Sequence, residues 1–387
     1  MDEIRVGIAG LGPRAVGTWI PLLQRIPGYR ITAICDPIQA LHDRALALLD
    51  GRGSVRAYRG YDDLLADPRV DAVALTVRSE RQGALAAQAL EAGKHVHAEV
   101  PAAHSLADCW RIVLAVERTG LTYQLAEQTR YWGFVDAWRE LVASGRLGQI
   151  TWCEGQYFHH VVTGMFQDPH TGETFGPEGL AAHPDAQPTW TQRMPPIHYL
   201  PHELSPMLKV LDDRVTEVVG MSTDAPSAAH PEIVQPDVQV ALMRTEKGAL
   251  LRMATSFAQP HPDGAWHWYQ VTGTRGRVEW SRGRGDPPKF WFADAGMQDL
   301  APADWSYERG DAPAEARGSG HGDADYYTHV AFRDAVLAGR QSEFDVYQAM
   351  DTAAPAILAA ESIARGSELV RVPDFRPGAD RRCGEEP

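Results

Sequence analysis

Near the start of the chain, Gly10-Leu11-Gly12-Pro13-Arg14-Ala15 has the residue types and spacing of a dinucleotide-phosphate cradle. It follows an apolar run, Ile4–Ala9, and opens a helical pattern. The first glycine can make the tight turn, and the second can let the backbone approach a pyrophosphate at a helix N-terminus. Pro13 and Arg14 lie where the phosphates would pass. Asp36 closes the next apolar run, Tyr29–Cys35. A carboxylate there accepts from both ribose hydroxyls and repels a 2′-phosphate, which selects NAD over NADP; an Asp before Pro37 also has the form of a turn initiator. Thr76, Glu99 and Gln128, near the ends of later apolar runs, complete the set expected to touch the cofactor. The chemistry implied is hydride transfer, with the protein supplying orientation and proton movement.

A second group of side chains could move protons or hold a substrate. Tyr157 and His159 stand two apart in a strand pattern and so share a face. A tyrosine of ordinary pKa, about 10, needs a cation or a hydrogen bond to act as a base, and His159 is placed to supply it. The competing reading is a packed tyrosine with its hydroxyl satisfied. His198 and His202 have the spacing of a metal pair, but Pro201 lies between them and no HExxH pattern surrounds them, so no metal is expected. Trp190 and Arg193 can hold a sugar ring and an anionic group, or simply pack their loop. Trp266, His267 and Trp268 alternate and read as sheet packing. Cys35, Cys109, Cys153 and Cys383 have no metal or redox spacing, which fits small hydrophobic thiols in a reducing compartment.

The elements that must position these residues fall into two patterns. Ile4–Ala9, Tyr29–Cys35, Val70–Val77, His95–Glu99 and Leu121–Ala126 read as buried strands, separated by helical segments such as Gln82–Ala92 and Ser105–Thr119, with Ser105 as cap. This predicts an α/β Rossmann domain with a doubly wound parallel sheet over residues 1–126. Residues 127–376 predict an α+β domain for substrate binding and oligomerisation. It has helices at Phe134–Ser144 and Glu203–Leu211 and strands at Ile150–His160, Val215–Ser222, Asp237–Thr245, Ala249–Phe257 and His267–Val271. Two helices near Asp325–Ala338 and Val346–Arg365 close it. The sheet is expected to be open and mostly antiparallel, with hairpin turns at Glu246-Lys247-Gly248 and Gly273–Gly276. Val162–Ile197 and Ser281–Asp323 show no period, Pro21 interrupts the first helix pattern, and 377–387 reads as a tail.

Several of these segments together resemble the Gfo/Idh/MocA oxidoreductase family: the fingerprint, Asp36, Ala92–Val96 and Glu99-Val100-Pro101. Most members carry Glu-Lys-Pro at the last site, where the lysine donates or accepts the proton in alcohol–ketone chemistry. Val100 cannot move a proton, and Gln82 stands where a histidine is common. A narrower set is similar to glycoside hydrolase family 109, NAD-dependent glycosidases on the same fold. It comprises Glu99–Ala103, Cys109-Trp110, Glu127 with Tyr131, Tyr157-Phe158-His159, Tyr199–His202, Gly320-His321-Gly322, Asp345–Tyr347 and Val372–Phe375. The Val162–Ile197 loop departs from that family, as does the lack of an export signal.

The resemblance implies hydrolysis by a redox detour. The sugar is oxidised at C3, its acidified C2 proton is removed, the aglycone is eliminated, water adds at C1 and the hydride returns. No carboxylate pair is needed around the anomeric carbon. By resemblance Tyr157 takes the C2 proton and His202 the C3 hydroxyl proton, while Tyr199 and Glu127 contact the sugar or relay protons. His321 lies in a glycine-flanked segment able to close on the substrate, beside His159, Trp190 and Arg193. The alternatives are an NAD-dependent sugar dehydrogenase or 3-oxidase and a non-catalytic NAD-binding regulator. A formal net charge of −14 argues against a nucleic-acid partner. No apolar stretch is long enough for a bilayer, and no leader pattern precedes the first strand. A cytoplasmic homo-oligomer acting on a small sugar or glycoside is expected.

Overall fold

The apolar runs of the first third form six parallel strands: β1 (Ile4–Ala9), β2 (Tyr29–Cys35), β3 (Arg56–Tyr58), β4 (Ala72–Leu75), β5 (His95–Ala98) and β6 (Tyr123–Leu125), in the order β3-β2-β1-β4-β5-β6. The computed structural model describes residues 2–49, 54–262 and 266–378, so of the expected tail all but 377–378 lies outside the described residues. All four residues of β4 are buried, as a parallel sheet covered by helices on both faces requires. The helix Leu106–Thr119 starts as expected, with the Asp108 N–H donating to Ser105 Oγ at 3.1 Å. Pro21 sits inside a continuous helical run over residues 13–25, and the turn before it, Ala15–Trp19, widens to π geometry, the interruption expected where a proline removes a backbone donor.

The second half builds a nine-stranded sheet from β7 (Ile150–Phe158), β11 (Val215–Ser222), β12 (Gln239–Thr245), β13 (Leu250–Ser256), β14 (His267–Gly273), β15 (Gly276–Glu279), β16 (Lys289–Phe292), β17 (Ala301–Pro302) and β18 (Val370–Arg371). Its order is β17-β16-β15-β14-β7-β13-β12-β11-β18, and only β7 and β13 run parallel. The two expected hairpin turns join β12 to β13 and β14 to β15, the first with Gly248 at φ +92°. Both irregular stretches contain more order than expected. Val162–Ile197 includes a three-stranded patch, β8 (Phe166–Gln167), β9 (Thr174–Phe175) and β10 (Gln187–Pro188). Ser281–Asp323 supplies β16 and β17. These strands are too short to show a period of two.

The chain then returns to the first sheet. The helix Ala324–Leu337 accepts the Tyr29 hydroxyl on the His329 carbonyl at 2.6 Å and the Gln124 amide on the Thr328 carbonyl at 2.7 Å. Phe332 stacks on His97 at 4.7 Å. One core runs from Val73 and Val96 under the first sheet to Leu251 and Tyr269 in the second.

His97 and His329 are buried in this junction, their rings 5.0 Å apart. Burial holds both below the ordinary histidine pKa, His329 at about 4. The unfolded chain therefore binds their protons first as pH falls. Stability is fully present above about pH 6.5 and should drop by about 1.4 kcal/mol per unit per histidine down to the folded pKa. Urea titrations at pH 7.5 and 5 should show a clear loss of midpoint; an unchanged midpoint contradicts this assignment.

Candidate active site

Strand order reverses between β1 and β4, which opens a crevice at their C-terminal ends. Gly10 sits there at φ +88°, and a Cβ on it would lie 2.4 Å from the Thr76 carbonyl oxygen. A Cβ on Gly12 would meet nothing within 4 Å, so that backbone faces open groove. The Thr76 hydroxyl donates to the Gly10 carbonyl at 2.6 Å and fixes the turn. At the end of β2, Asp36 accepts the Leu11 N–H on one oxygen and the Ile38 N–H on the other, both at 2.9 Å. It is therefore a turn initiator and at the same time a carboxylate facing the ribose end of the groove. The side-chain-free backbone at Gly10 and Gly12 matches what a dinucleotide cradle needs.

Arg14 is used differently from expectation. Its guanidinium is already engaged by two carboxylates, Nε at 2.7 Å from Glu99 and Nη2 at 2.5 Å from Asp325. Burial opposes its charge, but Glu99 and Asp325 outweigh burial and its pKa rises. Asp325, also buried, is held below the usual carboxylate range because Arg14 and His321 outweigh desolvation. Glu99 Oε2 also accepts the Trp19 indole N–H at 2.7 Å. Gln82 donates its amide to the carbonyls of Glu99 and Pro101. The residue in the usual histidine position thus holds the Glu99-Val100-Pro101 turn, and Val100 is 5% exposed. Gln128 is buried, with its Oε1 unpartnered among the described residues.

The facing wall comes from the second sheet. Inward positions of β7 are Cys153, Gly155 and Tyr157. The antiparallel register sets His267 opposite Tyr157 and Tyr269 opposite Gly155. The helix Pro201–Leu211 lays His202 and Glu203 on this face, and the missing side chain of Gly155 makes room for Glu203. His202 Nδ1 is 2.9 Å from Glu127 Oε1, which also accepts the Thr129 hydroxyl at 2.8 Å. Glu127 is fully buried. A carboxylate on Nδ1 fixes the tautomer and leaves Nε2 as the proton acceptor. The Tyr157 ring lies 5.0 Å from both His202 and His267. Tyr199 packs edge-on against His202 at 4.6 Å, and Trp190 stacks on Tyr199 at 5.2 Å. His159 stacks on Tyr157 at 5.5 Å, and Trp266 lies tilted against His159 at 4.9 Å. His321 lies 6.4 Å beyond Trp266.

Three expectations need correction. His159 is no cation: burial and neighbouring imidazoles bring its pKa to about 4, and burial pushes the Tyr157 hydroxyl well above its ordinary value. Arg193 pairs with Glu80 at 3.5 Å, so its charge is spent on the rim of the first sheet. Trp266 and His267 do more than pack the sheet, since both join the wall around Tyr157. His198 and His202 diverge, His198 against His104 at 5.1 Å, and no metal-ligating group of three occurs among the described residues. Sequence reasoning passed over Glu203, which bonds His267 Nδ1 at 2.8 Å, and Asp325. The four-residue spacing of His321 and Asp325 at a helix start was the available signal.

The segment 162–197 crosses the groove from outside. Gln167 accepts from Arg78 at 2.6 Å, Ser79 reaches Met194, and Gly172 packs on Leu41, five residues past Asp36. It is fastened to both rims.

Three comparisons bear on this arrangement. Residues 4–127 match the model of the oxidoreductase family with an NAD-binding Rossmann fold, Gfo/Idh/MocA. Residues 135–279 match a Gfo/Idh/MocA C-terminal domain, and 221–381 match the glycosyl hydrolase 109 C-terminal domain. The chain belongs to the Gfo/Idh/MocA family. It is an NAD-dependent enzyme of that type, and within the family it is most similar to glycoside hydrolase family 109. A "Glycosyl hydrolase family 109 protein" of Streptomyces niveus is 28% identical over 100% of this chain and 82% of its own. Among solved structures, an oxidoreductase from Agrobacterium radiobacter in complex with NAD+, L-tartaric acid and magnesium shares the fold, with TM-score 0.71, 20% identity and coverage of 95% and 98% of the two chains. So does scyllo-inositol dehydrogenase from Lactobacillus casei with NAD(H) and scyllo-inositol, with TM-score 0.68, 16% identity and coverage of 95% and 99%.

Asp36 should set cofactor choice. Titrated by tryptophan fluorescence, NADP should bind at least about tenfold more weakly than NAD, and Asp36→Asn should narrow the gap by relieving charge repulsion. Equal affinities in the unmodified protein would remove Asp36 from this role.

Proposed function

We propose that the protein is an NAD-dependent glycosidase that works by transient oxidation at C3 of a sugar. The observation that carries this is the buried Glu127–His202 pair beside Tyr157, with valine in the position of the family's lysine. The Gly10–Ala15 turn and Asp36 would hold NAD, which when bound would supply hydride acceptance and return. Every proton must then move on the chain's own residues. His202 Nε2 takes the C3 hydroxyl proton, since Glu127 occupies Nδ1 and stabilises the imidazolium. Tyr157 takes the C2 proton, and its raised pKa requires that its own proton be handed on before it can act as the base. Tyr199 and Trp190 offer aromatic faces to the sugar.

The second reading is a sugar dehydrogenase that stops at the ketone. The raised pKa of Tyr157 favours it, because a protonated phenol cannot begin elimination. A small sugar or glycoside is the ligand under both readings. Outward on the second sheet, Met221, Leu242 and Leu250 are exposed at 67%, 52% and 43%; covering them in a homo-oligomer fits this apolar face. Sedimentation at micromolar concentration should show a dimer or higher even oligomer rather than a monomer.

The mechanism predicts separable defects. Tyr157→Phe should still oxidise its substrate and build up bound NADH, yet release aglycone about 10²–10⁴-fold more slowly. His202→Ala should fail earlier, forming little NADH. In deuterated water the sugar released by the unmodified enzyme should carry deuterium at C2. Unlabelled product together with an active Tyr157→Phe enzyme rules out elimination and leaves the dehydrogenase.

A further inference from the structure

We propose that the protein has a second ligand site, a cleft at the far end of the helix that carries His202, and that it takes a small oxyanion, a phosphate or a carboxylate, on Arg130 and Arg139. The cleft has a volume of about 350 Å³ and is lined from the helices Gly133–Ala143, Pro201–Leu211 and Val346–Ala364. It shares no lining residue with the wall around Tyr157, and it is independent of the glycosidase reading.

Most of the charges in the lining cancel locally. Arg214 pairs with Glu246 at 2.9 Å, Arg376 with Asp351 at 2.5 Å, and Lys247 with Asp212 at 3.7 Å. Asp374 adds to Arg376 at 3.2 Å, and Lys209 is taken by Asp136 at 2.8 Å. Asp213 accepts the backbone N–H groups of Arg214 and Lys247. Arg130, Arg139 and Glu343 are left, with no ion pair among the described residues. Arg139 and Glu343 are exposed, whereas Arg130 is 4% exposed. Its Nη1 donates to the Ser205 hydroxyl at 3.1 Å and its Nη2 to the Gln348 side-chain oxygen at 2.9 Å. The Phe344 ring lies 4.0 Å from its guanidinium carbon, and its Nε–H has no partner among the described residues. Every partner is neutral. Burial lowers the pKa of Arg130 and Arg139 adds to this, against a partial offset from Tyr131, Glu343 and Glu127. A buried cation without a counter-ion is costly. One that also lines a cleft, beside a second unpaired arginine, is placed to receive its counter-ion from solution. The free Nε–H is half of the planar fork that grips two oxygens of a carboxylate or phosphate.

The same arginine joins the cleft to the active site. It stands three residues after Glu127, in the turn Gln128–Tyr131. Its carbonyl accepts from Lys209 Nζ at 2.8 Å and its guanidinium reaches Ser205, both on the helix of His202. Thr129 ties that turn to the His202 carbonyl at 2.9 Å. An anion that balances Arg130 therefore clamps the turn of Glu127 to the helix of His202, and the protein gains stability from the ligand by mass action.

The test uses the NAD-loaded full chain, so that the nucleotide groove is filled, with ionic strength held constant by sodium chloride. Inorganic phosphate and malonate are titrated by calorimetry, and the two arms tell a phosphoryl site from a carboxylate site. At least one should bind at one per chain with a Kd of about 1 mM or tighter. Arg139→Gln should weaken that binding about tenfold, the loss of one charge-assisted hydrogen bond, and Arg130→Gln should abolish it. The bound anion should slow backbone hydrogen exchange about fivefold or more in residues 127–131 and 201–211. No saturable binding of either anion up to about 10 mM, or equal binding by the unmodified protein and Arg139→Gln, would overturn the proposal. So would binding that leaves exchange in those two segments unchanged, since the anion would then sit elsewhere. If Arg130→Gln does not fold, the exposed Arg139→Gln decides alone.

Discussion

The arrangement hangs on one guanidinium. Arg14 leaves the nucleotide-binding turn, crosses the cleft and holds Glu99 at the edge of the first sheet and Asp325 at the start of the returning helix. Arg14 keeps 27% exposure while Asp325 has none, so losing the guanidinium is the costly change, because it strands a buried carboxylate. The cost here would also be geometric. Glu99 precedes Val100 at the reacting end of the groove, and Asp325 orients His321. A single cation thereby sets the position of groups on two walls. Because its charge is neutralised, it gives the substrate no fixed positive field.

The remaining polar groups are organised as neutral or internally balanced couples. Burial raises Glu203 and lowers His267, which share one hydrogen bond; the couple as a whole carries no net charge. Glu127 and His202 share a second buried hydrogen bond one helical residue away. Packed rings of Tyr157, His159 and Trp266 complete a wall of low polarity. Such surroundings strengthen any charge that develops during reaction. Burial, with Tyr199, Glu203 and Glu127, outweighs the lowering pull of Arg14 on the Tyr157 hydroxyl.

Much of this was legible in the residues. The fingerprint, Asp36 and strands β1 and β2 stood at their observed bounds, since apolar runs ending at Gly10 and beginning after Gly28 leave little choice; β11 was placed from its alternation alone. Tyr157 and His202 were found as separate candidates. Their meeting was not legible, because it depends on the register of β14 against β7 and on the missing side chain of Gly155. The role of Arg14 was misread for a related reason. A fingerprint tells which backbone meets phosphate, whereas the direction of a long side chain is decided by carboxylates 85 and 311 residues away.

The outer segment has a kinetic consequence. Residues 162–197 touch Leu41 on one side and Arg78, Ser79 and Glu80 on the other. A dinucleotide seated beneath them would exchange only as fast as these contacts open. A cofactor held in that way would behave as a prosthetic group. Under the proposed redox-neutral cycle that would be an advantage, since the reduced form would stay at hand for the second half of the reaction. The same retention would carry a hazard: an oxidised sugar that escaped before the hydride returned would leave the enzyme reduced, to be restored only by another ketosugar or by opening of the segment.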